Sequence, residues 1–191
     1  MLPTEERLDP RIKRTRGLLE QAFMDIVAEK GFQSVSVQDI TEKAGVNRAT
    51  FYAHFPDKYA LLDHSIRTGF QQELEKRTLN VCTFSMENLR ALIITVCEFI
   101  STAGSHCNPP SQQFESLMET QVKAQVRELV QNWIQKLDTD VDIRVVSTAA
   151  SWAIYGLALQ WSHEKKRPSA EKFAEEILPL LGLILGIRQA A

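Results

Sequence analysis

Residues 36–55 read SVQDITEKAGVNRATFYAHF, two short helix signatures on either side of a glycine. Ser36, with Asp39 three residues on, has the spacing of a helix N-cap in which a hydroxyl accepts from a backbone amide and a carboxylate answers it. Ile40 and Ala44 give this first helix an apolar face, and Gly45 supplies the left-handed residue that ends it. Asn47 caps a second helix over 48–55. It sends Phe51 and Phe55 to one side and keeps polar heads on Arg48, Thr50, Tyr52 and His54. A helix made only for a core needs few donors. Two short helices joined by a tight glycine turn are instead the layout with which a chain enters the major groove of DNA.

Upstream, Asp9 before Pro10 is a strong helix start, because proline at the first helical position loses no amide that the helix would use. Ile12, Leu18, Leu19, Ala22, Phe23, Ile26 and Val27 then recur at helical spacing until Gly31. This helix predicts a three-helix unit of about 50 residues with a core of Phe23, Ile26, Val37, Ile40, Val46, Phe51 and Phe55. Arg7, Arg11, Lys13, Arg14 and Arg16 crowd its approach with only Asp9 opposing. Cations at a helix start are disfavoured by the macrodipole, and phosphate is the natural partner, with Lys13 and Arg14 the foremost candidates.

Downstream, Pro56 and Asp57 break the chain and cap a long helix to about Arg77. Further helices follow over 85–102, 110–137, 141–164 and 169–187, with no convincing strand. The fold class is therefore all-α: a helix-turn-helix head over 1–57 and a larger helical domain over 58–191. Two late stretches, 145–161 and 177–187, are apolar almost all round. Such helices must be covered on every side, and a second copy of the chain is the economical cover. Ala153, Leu157, Trp161, Leu178, Leu181 and Leu185 are the residues expected at that homodimer interface. Pro179 predicts a kink or a helix break near Leu178.

Bulk properties bound the alternatives. The 191 residues are 44% hydrophobic and 24% charged with a net charge of −2, the composition of a folded globular chain. No run of about 18 uncharged apolar residues predicts a membrane span and no leader is evident, so a cytoplasmic location is the default expectation. Cys82, Cys97 and Cys107 are odd in number and lack paired spacing, so neither a disulfide framework nor a zinc site is signalled. His106 beside Cys107 is too few ligands for a metal. No nucleophile with a base, metal quartet or phosphate loop stands at useful spacing, so no catalytic residue, metal or cofactor is expected.

The stretch GFQSVSVQDITEKAGVNRATFYAHFPDKYALL resembles the N-terminal signature of the TetR family of bacterial transcription regulators, through the Gly31-Phe32 and Gly45-Val46 turns, Thr50-Phe51-Tyr52, and Phe55 followed by Lys58. The resemblance covers about 9–62; beyond it only the helical pattern matches. It implies an all-helical homodimer on a palindromic operator, with a C-terminal domain that binds a small effector and pairs through its last two helices. It also implies that Thr50, Tyr52 and Lys58 hold phosphates. Arg48 is placed to grip guanine, Gln38 to address a base edge and His54 to reach backbone or base, while Ala49 leaves room for a thymine methyl. Asn47 completes the DNA-facing set.

An effector pocket would lie among the middle helices, with Phe99, Phe114, Met118, Trp133, Trp152 and Tyr155 as candidate lining. The scarcity of charge on these faces suits an uncharged or weakly polar ligand. The competing reading keeps the DNA-binding head but makes the C-terminal domain a surface for a protein partner, with no small molecule.

Overall fold

The computed structural model describes residues 9–77, 83–106, 112–137 and 141–186. Arg7, Cys82, Cys107 and the expected turns at 108–110 and 138–140 lie outside these residues. Eight α-helices and no strand occur among the described residues. In chain order they are α1 Pro10–Lys30, α2 Val37–Ala44, α3 Arg48–His54, α4 Lys58–Arg77, α5 Met86–His106, α6 Gln112–Ile134, α7 Ile143–His163 and α8 Ala170–Ile184. A single 3-10 turn, Phe32–Ser34, links α1 to α2.

Contacts divide the chain into two compact units, Met1–Ser65 with Ser105–Glu115, and Ile66–Gly104 with Ser116–Ala191. The division falls inside α4, whose first two turns carry Leu61 and Leu62, both buried in the first unit.

The helix ends of the first unit follow from local chemistry. The Asp9 carboxylate accepts from the Arg11 amide at 2.8 Å and Pro10 occupies the first helical position. The Ser36–Asp39 capping box is complete in both directions. Gly45 adopts φ 67°, ψ 31°, where an L side chain is strained, and its amide donates to the Glu42 and Thr41 carbonyls. Asn47 accepts from the Thr50 amide at 2.7 Å, and Asp57 accepts from the Tyr59 and Ala60 amides at 2.9 and 2.8 Å.

Leu19, Phe23, Ile26, Phe32, Ile40, Phe51, Phe55, Leu61 and Leu62 form the buried core of this unit. Val37 and Val46 are only half-buried, and Leu18 is 45% exposed, so the apolar arc of α1 is narrower than its sequence period implies. Two ion pairs join α1 to α2: Lys30 to Asp39 at 2.9 Å and Lys43 to Glu29 at 2.6 Å. Hydrogen bonds from Ser36 and Lys30 hold the Asp39 carboxyl well below the usual carboxylate range.

The second unit is built by packing. Phe70, Leu89, Leu92, Ile93, Val96, Val122, Val126, Val130, Trp133, Ile154 and Leu181 are buried in it. Helices α7 and α8 pack on each other, with the Trp161 and Phe173 rings stacked 6.1 Å apart between centroids, and Ala150, Ala158 and Ala174 are fully buried along them. Helix α8 runs through Pro179 as one element, and the break near Leu178 does not occur. The missing amide lies on an exposed residue, where water can satisfy the carbonyl one turn back. Trp161, Leu181 and Leu185, expected at a dimer interface, are buried within their own chain. The apolar residues that remain exposed on the same two helices are Val145, Ala149, Trp152, Gly156, Leu180 and Leu183.

Candidate nucleic-acid interface

Helix α3 is pinned from below and open above. Phe51 is completely buried and Phe55 nearly so, their ring centroids 6.1 Å apart, while Arg48, Ala49, Tyr52 and Ala53 are exposed. Arg48 makes no hydrogen bond or ion pair among the described residues, so its guanidinium fork is free for a base or a phosphate. The Tyr52 ring stands edge-on to Phe51 at 5.4 Å and is 49% exposed, which fixes the direction of its phenol. Asn47 Oδ1 accepts from both the amide and the hydroxyl of Thr50, the latter at 3.0 Å, so the cap fixes the Thr50 rotamer.

The preceding helix offers Gln38, exposed, whose Nε2 donates to Glu42 Oε1 at 2.8 Å. That pairing fixes the amide nitrogen and leaves its oxygen for a donor. Lys13 and Arg14 are exposed on the first turn of α1. Arg16, two residues on, lies with its guanidinium 5.6 Å from the Phe55 ring centroid and serves the core instead. Burial, and secondarily the Arg16 charge, push the His54 pKa down, so the imidazole is neutral near pH 7 and can donate or accept without adding charge. His64 Nε2 on α4 meets Glu20 Oε1 on α1 at 2.7 Å, and its ring lies 5.4 Å from Phe55.

Lys58, expected on a phosphate, turns its ammonium toward the protein. Its Nζ donates to the carbonyls of Phe32, Gln33 and Val35 at 3.3, 3.2 and 2.8 Å and lies 4.8 Å from the Phe32 ring centroid. An ammonium has three hydrogens, and three carbonyls take them. Burial lowers its pKa.

Residues 19–64 match the family of bacterial regulatory proteins, tetR family. A TetR-family regulator from Streptomyces coelicolor A3 superimposes with a TM-score of 0.64 over 93% of this chain and 98% of its own, at 16% identity. Residues 19–64 thus carry a tetR-family regulatory domain. At that identity the structural likeness speaks for the fold alone. The transcriptional regulator FadR of Bacillus subtilis, solved with stearoyl-CoA, shares this fold with a TM-score of 0.56 over 86% of this chain and 96% of that one, also at 16% identity.

Among curated sequences, the HTH-type transcriptional regulator YxbF of Bacillus subtilis (strain 168) is 37% identical over 76 residues, 39% of this chain. YvdT of the same organism is 42% identical over 53 residues, 26% of this chain. The chain spans only 20% and 27% of the length of these two relatives.

In the second unit the pocket candidates separate. Met118, Trp133 and Tyr155 are buried and Phe99 is half-buried against Phe70, whose ring centroid is 5.3 Å away. Trp152 is 62% exposed, with the Lys123 ammonium 3.5 Å from its ring centroid, so it faces outward and not into a cavity. Phe114 is buried but belongs to the first unit.

An open cleft of about 430 Å³ on the second unit is lined by Glu98, Ser101, Thr102, Trp161 and Arg167 and by the start of α8. None of the six candidates lines it. Cys97 is buried, and burial, with help from Glu98, pushes its thiol up to about 12, so it is an inert core residue. No cluster of three or more metal-ligating side chains occurs among the described residues, and no helix there is long and apolar enough to cross a membrane.

Proposed function

We propose that the chain is a dimeric, DNA-binding transcriptional repressor of the bacterial cytoplasm, released from a palindromic operator by a small-molecule effector. The observation that carries the DNA-reading part is helix α3: Arg48 and Tyr52 stand exposed while Phe51 and Phe55 lock the same helix into the core. Arg48 and Gln38 read base edges, and Tyr52, Lys13 and Arg14 set register on phosphates, joined by Thr50 once its hydroxyl leaves Asn47 Oδ1. The reading head is residues 1–57 completed by the first two turns of α4, and the effector and dimerisation domain is the second unit, within 58–191.

Dimerisation is supported by the stripe Val145, Ala149, Trp152 and Gly156, spaced at four, three and four residues along one face of α7, together with Leu180 and Leu183 on α8. Exposed apolar side chains at that spacing suit a two-fold contact, in which the same patch meets itself. Two heads so joined would present α3 to half-sites about 34 to 36 Å apart.

For the effector, the aromatic and methionine interior of the second unit (Phe99, Met118, Trp133 and Tyr155) suits an apolar or weakly polar molecule. The structural neighbours include one solved with stearoyl-CoA and a multidrug binding protein, EbrR, solved with imidazole. An effector shifts DNA affinity only by its preference for one dimer shape, a coupling of about 1 to 3 kcal/mol.

The test is selection of duplexes from a random library, followed by titration of the selected duplex with and without hydrophobic compounds. Selection of a palindrome by a sedimenting dimer, and its release by one compound class, is the expected result. A monomer that selects no sequence would refute the proposal.

A further inference from the structure

The Lys58 ammonium sits where α4 begins and reaches back across the chain to the connection between α1 and α2. Its three acceptors, the carbonyls of Phe32, Gln33 and Val35, end immediately before Ser36, the residue that caps α2. The Phe32 ring lies beneath the cation, and the neighbouring Tyr59 ring packs edge-on to Phe32 at 5.3 Å. One charge-assisted cluster therefore ties the first residue of α4 to the start of the helix-turn-helix. Charge-assisted hydrogen bonds are about twice as strong as neutral ones, and all three donors of this ammonium are spent.

We infer that Lys58 is a positioning residue that sets α2, and through the Gly45 turn α3, on the end of α4, and that it does not contact phosphate. This rests on the reading of the head as a DNA-binding domain. A lysine bound to phosphate releases a counterion, so its loss lowers the log–log salt dependence of binding by about 1. A lysine that clasps carbonyls leaves that slope alone. Its loss instead tilts the reading helices, and affinity for the selected sequence falls more than affinity for random DNA.

The experiment compares wild type with Lys58→Met on a library-selected duplex and on a random duplex across a salt series, at a temperature where circular dichroism shows both proteins folded. The expected result is a loss of about tenfold or more on the selected duplex, a smaller loss on the random one and an unchanged salt slope. A slope lower by about 1 with equal losses on both duplexes would overturn the inference, as would a variant that binds like wild type.

Should Lys58→Met not fold, the wild-type ¹⁵N-lysine spectrum decides. A clasped ammonium gives a protected Nζ signal in the free protein that DNA leaves in place, whereas a phosphate contact produces that signal only on adding DNA. That spectrum also separates the two readings: a wild type that binds neither duplex sinks DNA recognition, while the signal still reports on Lys58.

Discussion

The two units of this chain differ in how far local bonds specify them. In the first, almost every helix end is written by a named local bond: Asp9 to the Arg11 amide, Ser36 with Asp39, Gly45 in the left-handed region, Asn47 to the Thr50 amide and Asp57 to the start of α4. In the second, Ser85, Asp142 and Ser169 likewise cap the starts of α5, α7 and α8, but how these long helices are arranged depends on which apolar faces cover one another. A head fixed by caps holds a reading helix to a defined direction. A domain arranged largely by packing has room to change its interior without changing its fold, as the proposed effector role requires.

The contrast is sharpest at two aromatic residues. Phe51→Ala removes a completely buried ring from a small core and should cost about 3 to 5 kcal/mol, enough to unfold the head, as followed by urea denaturation. If the head tolerates it with under about 1 kcal/mol of loss, α3 is not anchored as described. Trp152→Ala should leave monomer stability nearly unchanged, because the ring is 62% exposed, yet weaken the proposed dimer by about 2 kcal/mol in sedimentation equilibrium. Unchanged association together with a loss of monomer stability would move Trp152 from interface to core.

Smaller effects test the local bonds. Gly45→Ala meets no neighbouring atom but must hold φ 67°, and should cost about 1 to 2 kcal/mol, all of it in the head. Ser36→Ala should cost about 1 kcal/mol and should remove part of the head's acid sensitivity.

That sensitivity has a defined sign. The Asp39 pKa lies below its unfolded value, so the capping box and the Lys30 pair contribute stability that is present above about pH 4 and fades as pH falls below it. Melting curves between pH 6 and 2 should show the wild type losing more than the Asp39→Asn variant. Parallel loss in both proteins would show that other carboxylates govern acid unfolding.

Much of this was legible in the sequence where the determinant is local. Asp9-Pro10, the Ser36 to Asp39 spacing, Gly45 and Asn47 each announce a helix end within four residues of themselves, and the ends stand where that chemistry puts them. Determinants that act across the chain were not legible. Nothing in the neighbours of Lys58 reveals that carbonyls 23 to 26 residues earlier occupy its ammonium.

The apolar circumference of α7 and α8 shows that both must be covered, but not which side their own chain covers. Trp161, Leu181 and Leu185 are buried and Trp152 and Leu183 exposed in a chain whose α7 and α8 pack on each other. Pro179 predicted a break on its own chemistry, and an exposed position on a helix anchored by Ile177 and Leu181 absorbed the lost bond.

The central claim, that α3 reads base sequence through an anchored and exposed face, is tested most directly by fluorescence anisotropy of wild type and Arg48→Ala on a library-selected duplex and on a random one. The account predicts a loss of about 1 to 3 kcal/mol on the selected duplex, a far smaller loss on the random one and relaxed preference at one base pair of each half-site. Equal affinity of the two proteins for the selected duplex, or equal losses on both duplexes, would contradict it.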